Sequence, residues 1–443
     1  MKRSCSVAIL LLWSGGLACG SVKPLGLAAP REETAEPALE PTTDSMAVLP
    51  VDSSADAAGD AAWRASSEPL YVLTTRVSTT SGATHSFLLT APSLEPEASF
   101  DLRRAVQLDT ESPAFGVRGQ PFVYTAAESQ PTLLRWHVLE DGSLQQSSAI
   151  SFSSAGLRRL DAAASLSFFA SDKAYFCNRF DPSSIVIWNP ETLEVRGTIE
   201  LDLPVIGQML PQVVLSQRAD RLFAIVSWQQ SFSTDWTRFG DHVQLIAIDT
   251  ASDQIVSRVD EPRCNLLSAS SSGSDGAVYF SPSSYYAPLR SMLGAARGVD
   301  DCALRIQPGS ERFEPGYTLD LAALTGGRPA GDVALVSSDT AFLRVWHADL
   351  VTPLSPDGSN WESVLQEPGF SWWIWRLGAE QAEPIAEQKP SKDAQLFVVD
   401  GTTYTAVRSE DGSASVLEQL DPGGVLRPAL SGPGEIYGVL RLR

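Results

Sequence analysis

The chain has 443 residues, 43% apolar and 19% charged, so it can bury a sizeable core and is long enough for one large domain or several ordinary ones. Its 53 Asp and Glu against 33 Lys and Arg leave a formal net charge of −20, which argues against a nucleic-acid partner, since a phosphate backbone demands clustered cations. An acidic surface of this kind favours a soluble monomer and does not specify a fold.

At the N-terminus, Lys2 and Arg3 precede "VAILLLW" (Val7–Trp13), an apolar run too short to span a bilayer. Small residues in "GGLACG" then lead to Cys19. The segment resembles a bacterial lipobox, with Gly16 where leucine is usual. The resemblance implies a lipoprotein signal peptide over residues 1–18 and a lipidated Cys19; a secreted protein cleaved nearby is the alternative. Acyl chains on Cys19 would be the protein's membrane contact, and Gly20, which is not Asp, implies the outer membrane.

Residues 19–65 are rich in Ala, Pro, Glu, Ser, Thr and Asp and show no sustained hydrophobic period. Such a segment cannot bury enough surface to offset its ordering entropy. It reads as a disordered tether ahead of a folded body over residues 66–443.

In the body the hydrophobic period is two, and no convincing amphipathic helix appears. One class of apolar run, such as "KAYFCN" at 173 and "RLFAIVSW" at 221, is followed by a loop. A second class comes next, such as "SIVIWNP" at 184 and "VQLIAIDT" at 243, and then a turn and a third run, as in "LEVRGTIEL". A short strand such as "QVVLS" or "DVALVS" precedes the first class from the second repeat on. These four strands, a to d, recur seven times at roughly fifty to sixty residues, which predicts an all-β, seven-bladed β-propeller of four-stranded blades. The first repeat lacks strand a, and "EIYGVLRLR" (Glu435–Arg443) is a spare strand that can complete blade 1. A β-sandwich pair or a β-helix is the competing architecture.

The stretch "SDKAYFCNRFDPSSIVIWNPETLEVRGTIEL" and the later "DCALRIQPGSERFEPGYTLDLAALTGGRPAGD" resemble the blade signature of YncE-like propellers and of MxcI-like propeller lipoproteins encoded near myxobacterial siderophore genes. The resemblance is best over residues 160–345. It implies a propeller outside the cytoplasm and a link to siderophore-bound iron, and it brings no catalytic residues.

Three consecutive blades carry long b–c loops: Gln229–His242, Ser283–Asp301 and Ala348–Phe370. In a propeller all b–c and d–a connections emerge on one face, so these loops share a sector of one rim. Long loops on a rigid scaffold are where function concentrates, and aromatics with Arg mark binding surfaces. The ligand-binding candidates are Trp228, Trp236, Arg238, Tyr285, Tyr286, Arg290, His347 and Trp361; Phe232, Phe239 and Arg297 accompany them. The alternative is that the loops fold onto each other and bury these rings. The d–a loop Thr325–Asp332 joins the same face, with glycines that allow close backbone approach. In "FSWWIWRL" (Phe370–Leu377), Trp373 and Trp375 alternate with Trp372, and both faces are expected in the core.

Cys264 and Cys302 map to neighbouring positions on the loop-bearing rim, and in an oxidising compartment they are expected to form a disulfide. Cys177 reads as a lone buried thiol. No CxxC pair, HExxH, GxSxG or phosphate-binding loop is present, and His85, His137, His242 and His347 are too scattered for one metal. The expectation is a binding protein with no cofactor, no metal and no catalytic residues, whose ligand is a small molecule or an envelope protein. A hydrolase or lyase using rim Arg, His and Asp is one competitor, and a structural assembly protein is another.

Overall fold

The computed structural model describes residues 68–443 apart from 79–82, 97, 128–129, 161–164, 180–181, 231–238, 294–300, 356–358, 387, 393–394 and 410–411. The signal segment, Cys19 and the tether lie outside the described residues.

Seven four-stranded antiparallel sheets make up the body. Blade 4 is the fullest, with strands Met209–Arg218, Arg221–Gln230, Phe239–Asp249 and Gln254–Glu261 from the centre outward. Its second strand shows why the sequence reads as a near-continuous apolar run. Leu222, Ala224, Val226 and Trp228 pack toward blade 3, while Phe223 and Ile225 pack toward blade 5. A strand between two blades has no wet face, and each buried Leu, Val, Ile or Phe contributes about 1.5–3 kcal/mol. The outer strand Gln254–Glu261 instead alternates exposed and half-buried positions, because one of its faces meets water.

The ring closes as expected. Glu435–Arg441 is the innermost strand of blade 1, paired antiparallel with Tyr71–Ser78 from Tyr71↔Arg441 to Arg76↔Glu435. Gly438 is required there, since a Cβ would collide with the Thr74 hydroxyl.

The c–d turns repeat one device. In blade 3, Asn189 Oδ1 accepts the backbone N–H groups of Glu191 and Thr192, and Leu193 takes a left-handed φ of 58°. In blade 4, Asp249 Oδ1 accepts those of Ala251 and Ser252, and Asp253 has φ 57°. An Asn or Asp side chain that mimics a backbone turn is thus the shared mark of these two repeats.

Two features depart from the strand reading. The outer strands of blades 5 and 6 shrink to Leu319–Asp320 and Glu383–Pro384. In "FEPGYTLDL", Pro315 lacks a donor and Gly316 sits at φ 75°, which cuts the run short. Short helices also appear, at Ala287–Leu293 and Trp361–Leu365 inside two long b–c loops and at Leu321–Leu324 after blade 5. Each is too brief for a periodic signal.

Candidate functional site on the loop-bearing face

The second strands of blades 4, 5 and 6 end at Gln230, Ser281 and Trp346, and the long b–c loops leave from these ends. Residues 231–238, with Phe232, Trp236 and Arg238, and residues 294–300, with Arg297, lie outside the described residues. The described parts converge. Leu266, Tyr286 and Leu289 are buried together, with Phe239, Tyr285, Leu354 and Leu365 packed against them, so elements of blades 4, 5 and 6 meet in one apolar cluster. A second cluster joins Ala287 to Trp346, Val364 and Phe370. Among the described residues, Phe239, Tyr285 and Tyr286 take part in a small core of this kind.

Beneath that cap lies a buried charged layer. Arg290, only 4% exposed, donates to Ser283 O at 3.3 Å and to Ala330 O at 2.5 Å, and its Nε lies 3.0 Å from Asp301 Oδ1. Asp332 sits at a bulge within the inner strand of blade 6, Ala330–Leu335, with a left-handed φ of 49°. Its Oδ2 accepts the Ser284 hydroxyl, its N–H donates to Pro282 O at 2.9 Å, and its Oδ1 has no hydrogen-bond partner. Burial pushes the Asp301 and Asp332 carboxyls up despite their Arg neighbours, and it pushes the Arg290 guanidinium down. Arg344, 1% exposed, donates to Lys392 O at 2.8 Å and lies 4.2 Å from the Phe370 ring centroid. Gly331 is what lets the blade 5 loop approach: a Cβ there would run into Pro282 O and Ser284 N.

The same loop reaches toward blades 3 and 4. Tyr286 Oη donates to Gln229 Oε1 at 3.0 Å and also hydrogen-bonds Arg179, which follows strand b of blade 3. Cys264 and Cys302 are joined by a disulfide with Cα atoms 6.0 Å apart, which pins the loop's exit next to Asp301.

The remaining candidates fall as follows. Trp228 is buried between blades 3 and 4, its Nε1 donating to Pro204 O at 2.8 Å and its ring 4.9 Å from that of His242. Tyr286 and Arg290 are likewise walled in, and Tyr285 is half-buried. Trp361 opens the short helix of the blade 6 loop. His347 Nε2 lies 2.7 Å from Ser371 Oγ. Trp372 and Trp375 are core residues on opposite sides of blade 6. Cys177 is buried, and burial raises its thiol pKa far above the ordinary range. Among the described residues, no group of three or more His, Cys, Asp or Glu is placed to hold a metal ion.

Sequence reading missed Ser284, Asp332, Arg344 and Ser371. Arg344 carried a signal, being a cation within the apolar run "TAFLRVW".

The fold defines the protein as a seven-bladed β-propeller with an elaborated loop face. No family model and no curated protein matches its sequence. Among solved structures, the periplasmic gluconolactonase PpgL of Pseudomonas aeruginosa is similar, at 12% identity over 84% of this chain and 99% of its own, with a TM-score of 0.51. A protein from Lactobacillus plantarum is 11% identical over 85% and 99%, with a TM-score of 0.46. Apo AztD from Citrobacter koseri is 10% identical over 84% and 98%, with a TM-score of 0.41.

Proposed function

We propose that the protein is a monomeric binding propeller of the bacterial cell envelope, anchored through a lipidated Cys19, that holds a small polar molecule or an envelope protein on its loop-bearing face. The observation that carries this reading is the convergence of the blade 4, 5 and 6 loops into one braced cap. A cap held by its own apolar cluster, buried ion pairs and a disulfide is preorganised, and preorganisation lowers the entropic cost of binding. Because Trp228, Tyr286 and Arg290 are buried, their part is to hold the loops, and the half-buried Tyr285 is the described candidate left to make contact.

The resemblance to siderophore-linked propeller lipoproteins makes ferric siderophores the first ligands to try. Tryptophan fluorescence, titrated with ferric catecholate and ferric hydroxamate siderophores, is expected to change saturably in the wild type. The change should vanish in Tyr285→Ala/Trp361→Ala at unchanged melting temperature. Saturable binding unaffected by that pair would move the ligand off this face. Incorporation of labelled palmitate that persists in Cys19→Ala would remove the anchor.

A further inference from the structure

A second chemistry sits on the side of blade 6 that faces blade 5. Strands Thr340–Trp346 and Phe370–Arg376 pair with Val345 opposite Ser371, and the His347 N–H donates to Gly369 O at 2.8 Å. That register puts His347, Val345, Ser371 and Trp373 on one face of the sheet. His347 Nε2 stands 2.7 Å from Ser371 Oγ, and Trp373 Nε1 donates to the same oxygen at 3.2 Å. Oγ can accept the indole N–H and at the same time give its own hydrogen to Nε2. This requires a neutral imidazole with its proton on Nδ1.

The surroundings favour that state. Burial, and then the charge of Arg328, hold the His347 pKa below the ordinary imidazole value. Asp349 acts in the opposite sense and would steady an imidazolium once formed; it is ion-paired with Arg328 at 2.5 Å. The adjoining Gly326 and Gly327 have no atom within 4 Å of where a Cβ would stand, so the loop beside Arg328 borders open space. Ser371 itself is 6% exposed, which restricts any reactant to a slender group.

We propose that Ser371, activated by His347, is a nucleophile toward carbonyl and phosphonyl electrophiles, and that this face cleaves a small carboxylic ester through an acyl-serine intermediate. Oγ bonds to the acyl carbon while its proton passes to His347 Nε2, and the alcohol leaves carrying that proton. Water, deprotonated by the same imidazole, then releases the acid and restores Ser371. This inference goes beyond the binding reading and stands or falls separately from it.

The test is covalent labelling of the whole folded protein with a biotinylated fluorophosphonate. In that reaction Oγ displaces fluoride from phosphorus and gives its proton to His347. The expected result is a phosphonylated tryptic peptide at Ser371, no label in Ser371→Ala, and a labelling rate at least about 100-fold lower in His347→Gln at unchanged melting temperature. Should Ser371→Ala fail to fold, Ser371→Cys serves instead: its alkylation by iodoacetamide is expected to slow when His347 is also replaced by Gln. An unlabelled wild type, under conditions that label a known serine esterase, overturns the proposal. So does label found on another residue, or a rate indifferent to His347. Those failures leave siderophore titration by the loop face untouched.

Discussion

Arg76 and Glu435, 359 residues apart in sequence, meet with Arg76 Nη2 at 2.7 Å from both carboxylate oxygens of Glu435. Nη1 of Arg76 reaches Glu111 at 2.6 Å, and Arg408 of blade 7 reaches Glu435 at 3.1 Å. The carboxylate that begins the last strand is therefore held by blades 7 and 1 together, just where the ring is sealed. Removing one partner of a buried ion pair leaves the other desolvated and uncompensated, at a cost of about 3–5 kcal/mol. Glu435→Ala is expected to lose about that much in urea denaturation, with Arg408→Ala losing less. A loss under 1 kcal/mol would mean that the strand's hydrogen bonds seal the ring alone.

The Cys264–Cys302 bond closes a loop with a sequence separation of 38. The chain-entropy relation gives about 4 kcal/mol for a crosslink of that span. Cys264→Ser/Cys302→Ser is expected to lower the unfolding free energy by up to about that amount. It should also expose the blade 5 loop to limited proteolysis before the rest of the ring, because the bond holds the residue next to Asp301. A digestion pattern identical to the wild type would show that Arg290 and the apolar cluster suffice.

Asp332 joins the inner strand of blade 6 to the blade 5 loop, and its left-handed φ suits Asp far better than a β-branched residue. Asp332→Ala removes the Ser284 contact and the carboxylate that offsets buried Arg290 and Arg344. A loss of about 3–5 kcal/mol is expected, with Asp332→Asn retaining part of it. Chemical denaturation measures both.

Glu418 supplies a pH dependence. It lies on strand Ala414–Leu420 opposite Thr405, and burial alone raises its carboxyl pKa. A carboxyl with a raised pKa binds its proton more tightly folded than unfolded. Its stabilising contribution is fully present below the unfolded value near 4.3 and is lost as pH rises through the folded value. Over that window wild-type stability is expected to climb as pH falls, relative to Glu418→Gln. Parallel melting curves for the two proteins from pH 7 to pH 4.5 would discard this source.

Much of this architecture was legible in the chain. Period-two runs such as "RLFAIVSW" announce strands buried on both faces, and the spare strand at Glu435 had a vacant partner at Tyr71. Loop lengths between second and third strands put the elaborated rim in blades 4 to 6. Alternation also marked Trp372 and Trp375 as core residues of opposite sides. The two-residue outer strands of blades 5 and 6 were not legible, because Pro and Gly interrupt pairing in ways that only the neighbouring strand reveals.

What the sequence by itself determined is the ring: its strand count, its closure and the face that carries the long loops. These follow from backbone periodicity and turn chemistry, which are local. Only the tertiary structure decided which loop side chains are withdrawn from solvent and which charges pair. Arg290 reads as an exposed binding residue until Asp301, Asp332 and the Ala330 carbonyl are seen around it. Ser371 reads as an ordinary strand residue until His347 and Trp373 are placed at its hydroxyl. Burial and pairing depend on what packs across a gap, and local periodicity carries no record of that.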